Sequence, residues 1–512
     1  NGGGAAVKQG HPIARTSKTT LSQITTSKFA DLPLNPSTKK GILEGLGYES
    51  MTIVQEQSLP VALSGVDVLA KAKTGTGKTL AFLIPAVEAC LKAPEQRGKI
   101  KALIVSPTRE LAQQIADEGA VLCKYNGLTL QCIVGGTSMS KDLRGFKANT
   151  DILVATPGRL NDHLQNSGLD RLLSGLRVLV FDEADQLLDM GFRPAINDML
   201  KRLPPKETRQ CLLFSATMPA DVESIAQVAT RGGKLQFVDT VGEEETTHQH
   251  VEQSFLITQP QSQFAEVINL VEEGRKLKGH KVLVFFTTAR QTQFFAELFM
   301  AYGIPVLEMH SRLSQSKRTK VSDTFRQGEN LVMFSSDVAA RGMDYPDVSR
   351  VIQVGAPSDR AKYIHRLGRT ARAGKDGSGV LVLNDFEDFF LKDLGDLPMQ
   401  PRTAMDGARV TEMQERVDKA LSKLPDATFC AAYQAWMGFY NGELRKMKWR
   451  KEDLVRHANH WITKVCKYRE VPALEPKTVG KMGLKGTVGL NVQAGASKGA
   501  GRSPLGGGGG GR

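Results

Sequence analysis

Short apolar runs recur along the chain, each followed by a stretch in which apolar residues return every three or four positions. Between about Phe29 and Thr240 the runs include Val66–Ala70, Ala102–Ser106, Asp151–Ala155, Val178–Phe181 and Cys211–Phe214. A short apolar run bounded by turn residues reads as a strand buried on both faces, and strands alternating with helices imply βαβ units on a parallel sheet. A polar, acidic stretch at 241–247 interrupts the pattern. A second alternation begins at Phe255 and continues to about Asp396, with runs at Val282–Phe286, Val306–Glu308, Leu331–Ser335, Val351–Val354 and Gly379–Leu383. The pattern predicts two α/β domains of similar kind, residues 29–240 and 251–397, joined by a hinge at 241–250. Beyond Pro398 the strand signal ends. Val410, Met413, Val417, Leu421 and Leu424 return at helical spacing, as do Phe429, Tyr433, Trp436 and Tyr440, which predicts a helical extension over 398–475. Residues 476–512 hold no acid and much Gly and read as a flexible basic tail, and residues 1–28 read as a disordered basic segment.

Composition narrows the class. With 512 residues, 41% of them hydrophobic and 24% charged, the chain is long enough for two or three cores. No stretch approaches 18 apolar residues without a charge, so none reads as a transmembrane helix. The six cysteines are scattered with no CxxC pair, which argues against a disulfide scaffold and a zinc site and fits a reducing compartment. The net charge of +13 is uneven. Residues 1–30 carry Lys8, Arg15, Lys18 and Lys28 and no acid, residues 401–512 carry 20 Lys and Arg against 10 Asp and Glu, and the segment between is close to neutral. Basic ends on a neutral body point to polyanion binding, with a solubilising tail as the alternative. The chain starts on Asn rather than Met, which reads as a fragment or a processed product. Its acid-free opening suits the end of an organellar transit peptide or a linker.

Two motifs carry chemistry. Ala72-Lys73-Thr74-Gly75-Thr76-Gly77-Lys78-Thr79 stands between the run Val66–Ala70 and the helical run Leu80–Cys90. Glycines let backbone N–H groups curl around phosphate oxygens, and a helix N-terminus adds positive potential. In such a loop Lys78 reaches the β- and γ-phosphates and the Thr79 hydroxyl ligates Mg2+. The strict pattern begins with Gly, where this chain has Ala72. The second motif is Asp182-Glu183-Ala184-Asp185, just past the run Val178–Phe181. Acids at the C-terminal end of a parallel strand sit where α/β sheets bind ligands. Asp182 there can hold Mg2+ through its water shell and Glu183 can orient or deprotonate an attacking water. Alone, the string reads equally as an acidic start to a helix.

With these motifs the chain resembles the DEAD-box RNA helicases over roughly Phe29 to Leu394. The ordered set is Gly47–Gln55 with Phe29 upstream, the Ala72–Thr79 loop, Pro107-Thr108-Arg109-Glu110-Leu111-Ala112, Gly135-Gly136, Thr156-Pro157-Gly158-Arg159, Asp182–Asp185 and Ser215-Ala216-Thr217. It continues with Val284–Thr287, Gln315 with Arg318, Ser336–Asp344, and His365–Arg372. The resemblance implies two RecA-like parallel-sheet domains in tandem that bind ATP and Mg2+. It implies that Gln55 pairs with the adenine edge and Phe29 stacks on its face, that Lys73, Thr74, Gly75, Thr76, Gly77, Lys78 and Thr79 cradle the phosphates, and that Asp344 joins the ATP site. Lys78, Asp182, Glu183 and His365 become catalytic, with Arg369 and Arg372 as arginine fingers brought in by closure of the cleft. Thr79 and Asp182 hold the metal, largely through water, and Ser215 and Thr217 couple hydrolysis to strand separation. RNA lies along Thr108, Arg109, Gly136, Thr156, Gly158 and Arg159 in the first domain and along Thr287, Gln315, Arg318 and Ser336 in the second. Hydroxyls, Gly N–H groups and a few arginines suit sugar–phosphate contacts rather than base reading.

Departures are Met51 and Val54 in the glutamine motif, Ser311 after His310, Ser336, and Ala371 between the two finger arginines. Arg341–Pro346 and Gly368–Lys375, with the basic extension, look most like the mitochondrial DEAD-box proteins that assist intron splicing. That favours a mitochondrial location, with a plastid also open and the nucleus or cytoplasm as alternatives. In the extension Trp436, Trp449 and Trp461 interleave with Arg445, Lys446, Lys448, Arg450, Lys451 and Arg456. The aromatics either dock the extension onto the second domain or stack on RNA. The resemblance implies an RNA-dependent ATPase, expected as a monomer with possible ribonucleoprotein partners, that unwinds short duplexes. A DNA helicase and an ATP-gated RNA clamp remain as alternatives.

Overall fold

A computed structural model describes residues 24–72, 75–147, 149–189, 191–232, 235–241, 251–337, 345–371, 377–395 and 397–493. The expectations placed on Lys73, Thr74, Asp344 and Arg372, on most of the hinge and on both chain ends lie outside the described residues.

The strands are β1 Ile24–Lys28, β2 Ser50–Thr52, β3 Asp67–Lys71, β4 Ala102–Val105, β5 Leu130–Ile133, β6 Ile152–Ala155, β7 Val178–Phe181, β8 Gln210–Ser215 and β9 Leu235–Asp239. They continue with β10 Glu252–Thr258, β11 Lys281–Phe286, β12 Leu307–Met309, β13 Leu331–Ser335, β14 Arg350–Val354, β15 Ser378–Asn384 and β16 Met399–Pro401. Two seven-stranded sheets result, in the orders β5-β6-β4-β7-β8-β3-β9 and β12-β13-β11-β14-β15-β10-β16. Every pairing in them is parallel. The buried runs found in the sequence are the inner strands: β4, β6, β7 and β8 are buried at every position because helices cover both faces.

Three expectations need correction. The strand signal does not end at Pro398, because β16 pairs with β10 at the sheet edge, where a proline without an N–H is tolerated. The N-terminal segment is ordered from Ile24, since β1 pairs antiparallel with β2. The tail is ordered to Gln493: Pro476–Lys481 is a helix, Val479 and Leu484 are buried, and Leu474 bridges to Val492.

The extension consists mainly of helices Gly407–Leu421, Asp426–Met447 and Lys451–His460. Met413, Val417, Leu421, Phe429, Tyr433, Trp436 and Tyr440, picked out by their spacing, share one core with the second sheet and the helix Ala289–Tyr302. Phe294 on that helix meets Phe429 at 5.8 Å and Trp461 at 5.7 Å between ring centroids. Trp436 and Trp461 are buried, and Trp449 stacks on His457 at 4.1 Å. The tryptophans therefore dock the extension. Each buried side chain of this size contributes roughly 1.5–3 kcal/mol, so the extension is part of the second domain's core.

Candidate nucleotide and RNA site

Between β3 and the helix Lys78–Leu91, Gly75 and Gly77 have φ of 78° and 91°, a region in which a side chain is strained. Gly77 has a second constraint, because a Cβ there would lie 2.5 Å from Gln55 Nε2. That nitrogen donates to the Gly77 carbonyl at 2.9 Å, and Gln55 Oε1 accepts the Thr52 N–H at 2.9 Å. Thr52 and Gln55 form a capping box on the helix Ile53–Leu63. Gln55, expected only against adenine, thus also braces the phosphate loop, and these two bonds use half of its amide's donors and acceptors. Phe29 does not present a ring face as expected. It is 1% exposed and packs in the first domain's core with Leu32, Leu34 and Met51. Lys78 is buried, with Nζ donating to the Ala72 carbonyl at 3.2 Å.

Strand order decides what meets across this loop. β8 lies between β7 and β3, and the pairings Phe181↔Leu213 and Lys71↔Ser215 bring the three C-terminal ends together. Burial pushes the Asp182 carboxyl up to about 7; Lys78 opposes the rise, and Glu183 and Asp185 add to it. Asp182 Oδ1 accepts the Glu183 N–H at 3.0 Å, which holds Glu183 at a φ of 49°. A non-glycine residue there stores on the order of 1–3 kcal/mol, and such residues concentrate at functional sites.

Ser215 and Thr217 do more than cap a helix. Ser215 Oγ accepts the Asp185 N–H at 3.2 Å and donates to the Thr217 carbonyl at 2.7 Å. Asp185 Oδ2 accepts from Thr217 N–H at 3.2 Å and from Thr217 Oγ1 at 2.9 Å. The Ala72 N–H donates to the Ser215 carbonyl at 2.9 Å, so one hydrogen-bond chain runs from the phosphate loop to the acidic turn. Asp185 is the member of this chain that sequence reading left without a role. Its only signal was its place in the acidic string.

In the second domain β14 feeds the helix Arg360–Leu367, which Asp359 caps by accepting the Lys362 N–H at 2.8 Å. His365 and Arg369 stand at its end, both buried, and Arg369 Nε donates to the His365 carbonyl at 3.3 Å. Arg366 is spent otherwise. It pairs with Asp337, next to Ser336, at 2.6 Å and lies 5.5 Å over the Phe285 ring.

The helices Arg109–Asn126 and Gln315–Gln327 meet between the domains. Arg318 donates to Glu110 Oε2 at 2.7 Å and Gln315 Nε2 to Glu110 Oε1 at 3.0 Å. Gln315 Oε1 accepts from Arg109 at 3.4 Å and from Arg318 at 3.3 Å. Gln315 and Arg318, expected on RNA, clasp Glu110, a residue to which the sequence assigned no role. With Glu110 and Arg318 at 6% and 5% exposure, the ion pair at the centre of the clasp is buried, while Arg109 and Gln315 are half-buried. Glu110→Ala is expected to remove about 1.5–3 kcal/mol of charge-assisted hydrogen bonding from the docked arrangement. That lowers the docking equilibrium constant roughly ten- to hundredfold. Energy transfer between dyes on the two domains measures it, and an unchanged signal would exclude the clasp.

The remaining RNA candidates cluster by strand. Thr108, Gly136 and Thr156 follow β4, β5 and β6, on the half of the first sheet away from the phosphate loop, while Thr287 and Ser336 follow β11 and β13. Thr108 Oγ1 caps its helix by accepting the Leu111 N–H at 3.2 Å. Gly158 is exposed with open space around it, and Gly136 lies against the Arg109 guanidinium. Arg159 is turned inward. Its Nε donates to the Val134 carbonyl at 3.1 Å and pairs with Asp142 at 3.4 Å, so it supports the Gly135-Gly136 loop rather than facing outward as expected.

Paired parallel sheets with a glycine-rich phosphate loop in one and an arginine-bearing helix in the other define a tandem RecA-like ATPase core. The DEAD/DEAH box helicase family model matches residues 52–225, and the helicase conserved C-terminal domain model matches residues 262–374. The DEAD-box ATP-dependent RNA helicase 25 of Arabidopsis thaliana is 43% identical over 95% of this chain and 87% of its own length. Helicase 26 of the same plant is 44% identical over 95% of this chain, which spans 58% of that protein. Among solved structures, Mss116p bound to ssRNA and AMP-PNP superposes with a TM-score of 0.75 at 29% identity, covering 88% of this chain and 92% of that one. S. cerevisiae Dbp5 bound to RNA and ADP BeF3 superposes with a TM-score of 0.63 at 25% identity, covering 77% of this chain and all of that one. The chain belongs to the DEAD-box ATP-dependent RNA helicase family.

Proposed function

We propose that this chain hydrolyses ATP in an RNA-dependent way and uses domain docking to open short duplexes and remodel structured RNA. The observation that carries this reading is the Glu110 clasp, which ties the segment bearing Thr108 and Arg109 directly to the second domain. Lys78 and the glycine-rich loop hold the phosphates, Glu183 orients the attacking water, and His365, Arg369 and Arg372 complete the site from the second domain. Thr79 and Asp182 suit Mg2+: the Asp182 carboxyl is crowded by acids, and a cation would favour its ionised form. Among the described residues no three His, Cys, Asp or Glu side chains converge on a metal site, which fits an ion held mainly by water, one carboxylate and phosphate. Bound there, Mg2+ would neutralise charge on the transferred phosphoryl group. Opening a base-pair step costs on the order of 1–2 kcal/mol, so bending one strand suffices to melt a short helix.

The finer reading, a monomeric organellar protein of the mitochondrial intron-splicing subgroup, rests on the stretches Arg341–Pro346 and Gly368–Lys375 and on the basic helical extension. The test compares ATP turnover with RNA and with single-stranded DNA, using Lys78→Ala as the inactive control. Stimulation by RNA alone is expected. Equal stimulation by DNA would overturn the RNA assignment, and ATP-dependent RNA binding without strand separation would make the chain a clamp.

A further inference from the structure

Glu387 is fully buried between β15 and the extension, and its carboxylate is held by neutral partners. Oε1 accepts the Ala356 N–H at 2.9 Å and the Tyr440 hydroxyl at 2.9 Å, while Oε2 accepts from the Asn384 backbone at 2.8 Å and its side chain at 3.1 Å. Tyr440 belongs to the long extension helix Asp426–Met447. Ala356 belongs to the 355–359 connection between β14 and the helix that leads to His365 and Arg369. A second tie reaches the same connection from the same extension helix: Lys446 Nζ donates to the Ser358 carbonyl at 3.3 Å and lies 5.9 Å from the Phe389 ring centroid. The connection also touches the RNA half of the sheet. Gly355, at a φ of 84°, leaves so little room that a Cβ would stand 2.7 Å from Thr287 Cγ2 and 3.3 Å from Glu387 Oε1. Phe386, beside Glu387, is walled in by Tyr440 at 5.3 Å and Trp449 at 5.0 Å.

We propose that Tyr440 and Lys446 of the extension, through Glu387 and the 355–359 connection, are positioning residues that fix the arginine-bearing helix and Thr287 for the ATPase reaction. The proposal rests on the function proposed above. An extension serving only as an RNA grip or a stabilising pad needs no hydrogen bond to this connection. Here one helix reaches the connection twice, directly at Ser358 from Lys446 and through Glu387 at Ala356 from Tyr440, and the residues following the connection carry the arginines. Loss of one such bond weakens its hold on the connection by about 0.5–1.5 kcal/mol, a roughly two- to tenfold effect.

The test uses the full chain with Tyr440→Phe, which removes only a hydroxyl, and Lys446→Ala, which changes an exposed side chain. Each is expected to lower kcat at saturating RNA roughly two- to tenfold with the KM for ATP unchanged. Lys446→Arg is expected to restore turnover. Melting is expected to fall by no more than about 4 °C. Amide hydrogen exchange over 355–369 is expected to rise by a similar factor whether or not the parent turns over ATP. Unchanged exchange in both variants overturns the positioning role. A parent chain without RNA-stimulated turnover overturns the proposed function instead. A fall in kcat that only tracks the unfolded fraction reduces the contact to structural support and also overturns the proposal.

Discussion

Arg369→Ala is expected to lower ATP turnover at saturating RNA by about 10³–10⁵-fold, the range found for arginine fingers in NTPases. ATP and RNA binding to the folded chain should stay close to the parent's. The expectation follows from how the helix Arg360–Leu367 divides its cations. Arg366 is ion-paired with Asp337 and packed over Phe285, so its loss should show first as a lower melting temperature. Arg369 makes a backbone bond to the His365 carbonyl through Nε, which leaves the fork end of the guanidinium to other partners. Arg369→Lys keeps the charge and loses the planar fork, so it should recover only part of the rate. Single-turnover hydrolysis on RNA, with melting measured alongside, separates the two arginines. A loss of only about tenfold for Arg369→Ala would remove it from the reacting centre.

The sequence was most legible where one physical constraint acted alone. β4, β6, β7 and β8 must be apolar at every position because both sheet faces are covered, and their runs stand out at once. β9 and β16 lie at sheet edges, where exposure relaxes that demand, and neither left a comparable run. The phosphate loop and the acidic turn were legible as separate strings. That β8 lies between them, so that Ser215 joins Ala72 to Asp185, is a fact of strand order that no local pattern encodes. Roles of single residues were least legible where a side chain also serves the protein itself. Phe29 packs in the core, Gln55 braces Gly77, Arg159 holds the loop after β5, and Gln315 and Arg318 clasp Glu110. Gly77 lies 22 positions from Gln55, Val134 25 from Arg159 and Glu110 205 from Gln315, and type and spacing alone do not reveal such partners. Trp436 shows the converse: its helical spacing with Phe429 and Tyr433 already contained the packing answer that burial then gave.

Glu183→Gln is expected to reduce turnover by about 10²–10⁴-fold, the usual worth of a positioned general base, while ATP and RNA still bind. The substitution is close to isosteric, and the bond that fixes the turn runs from the Glu183 N–H to Asp182 Oδ1, so the side chain can change without releasing the backbone. The φ of 49° at this position is paid for in the parent and remains the same for Gln, which leaves little reason for the fold to respond. Removing one negative charge also removes one of the two acids that raise Asp182, so that carboxyl should ionise at lower pH and its hold on Mg2+ should not weaken. The variant should therefore accumulate as an ATP-bound, RNA-bound, docked state. Energy transfer between the domains would report it as high and persistent, and quench-flow would show no chemical step on the parent's timescale. Turnover within about tenfold of the parent would take the water-orienting role away from Glu183. Loss of ATP binding would mean that the acidic turn holds the nucleotide itself, with no separate part in attack.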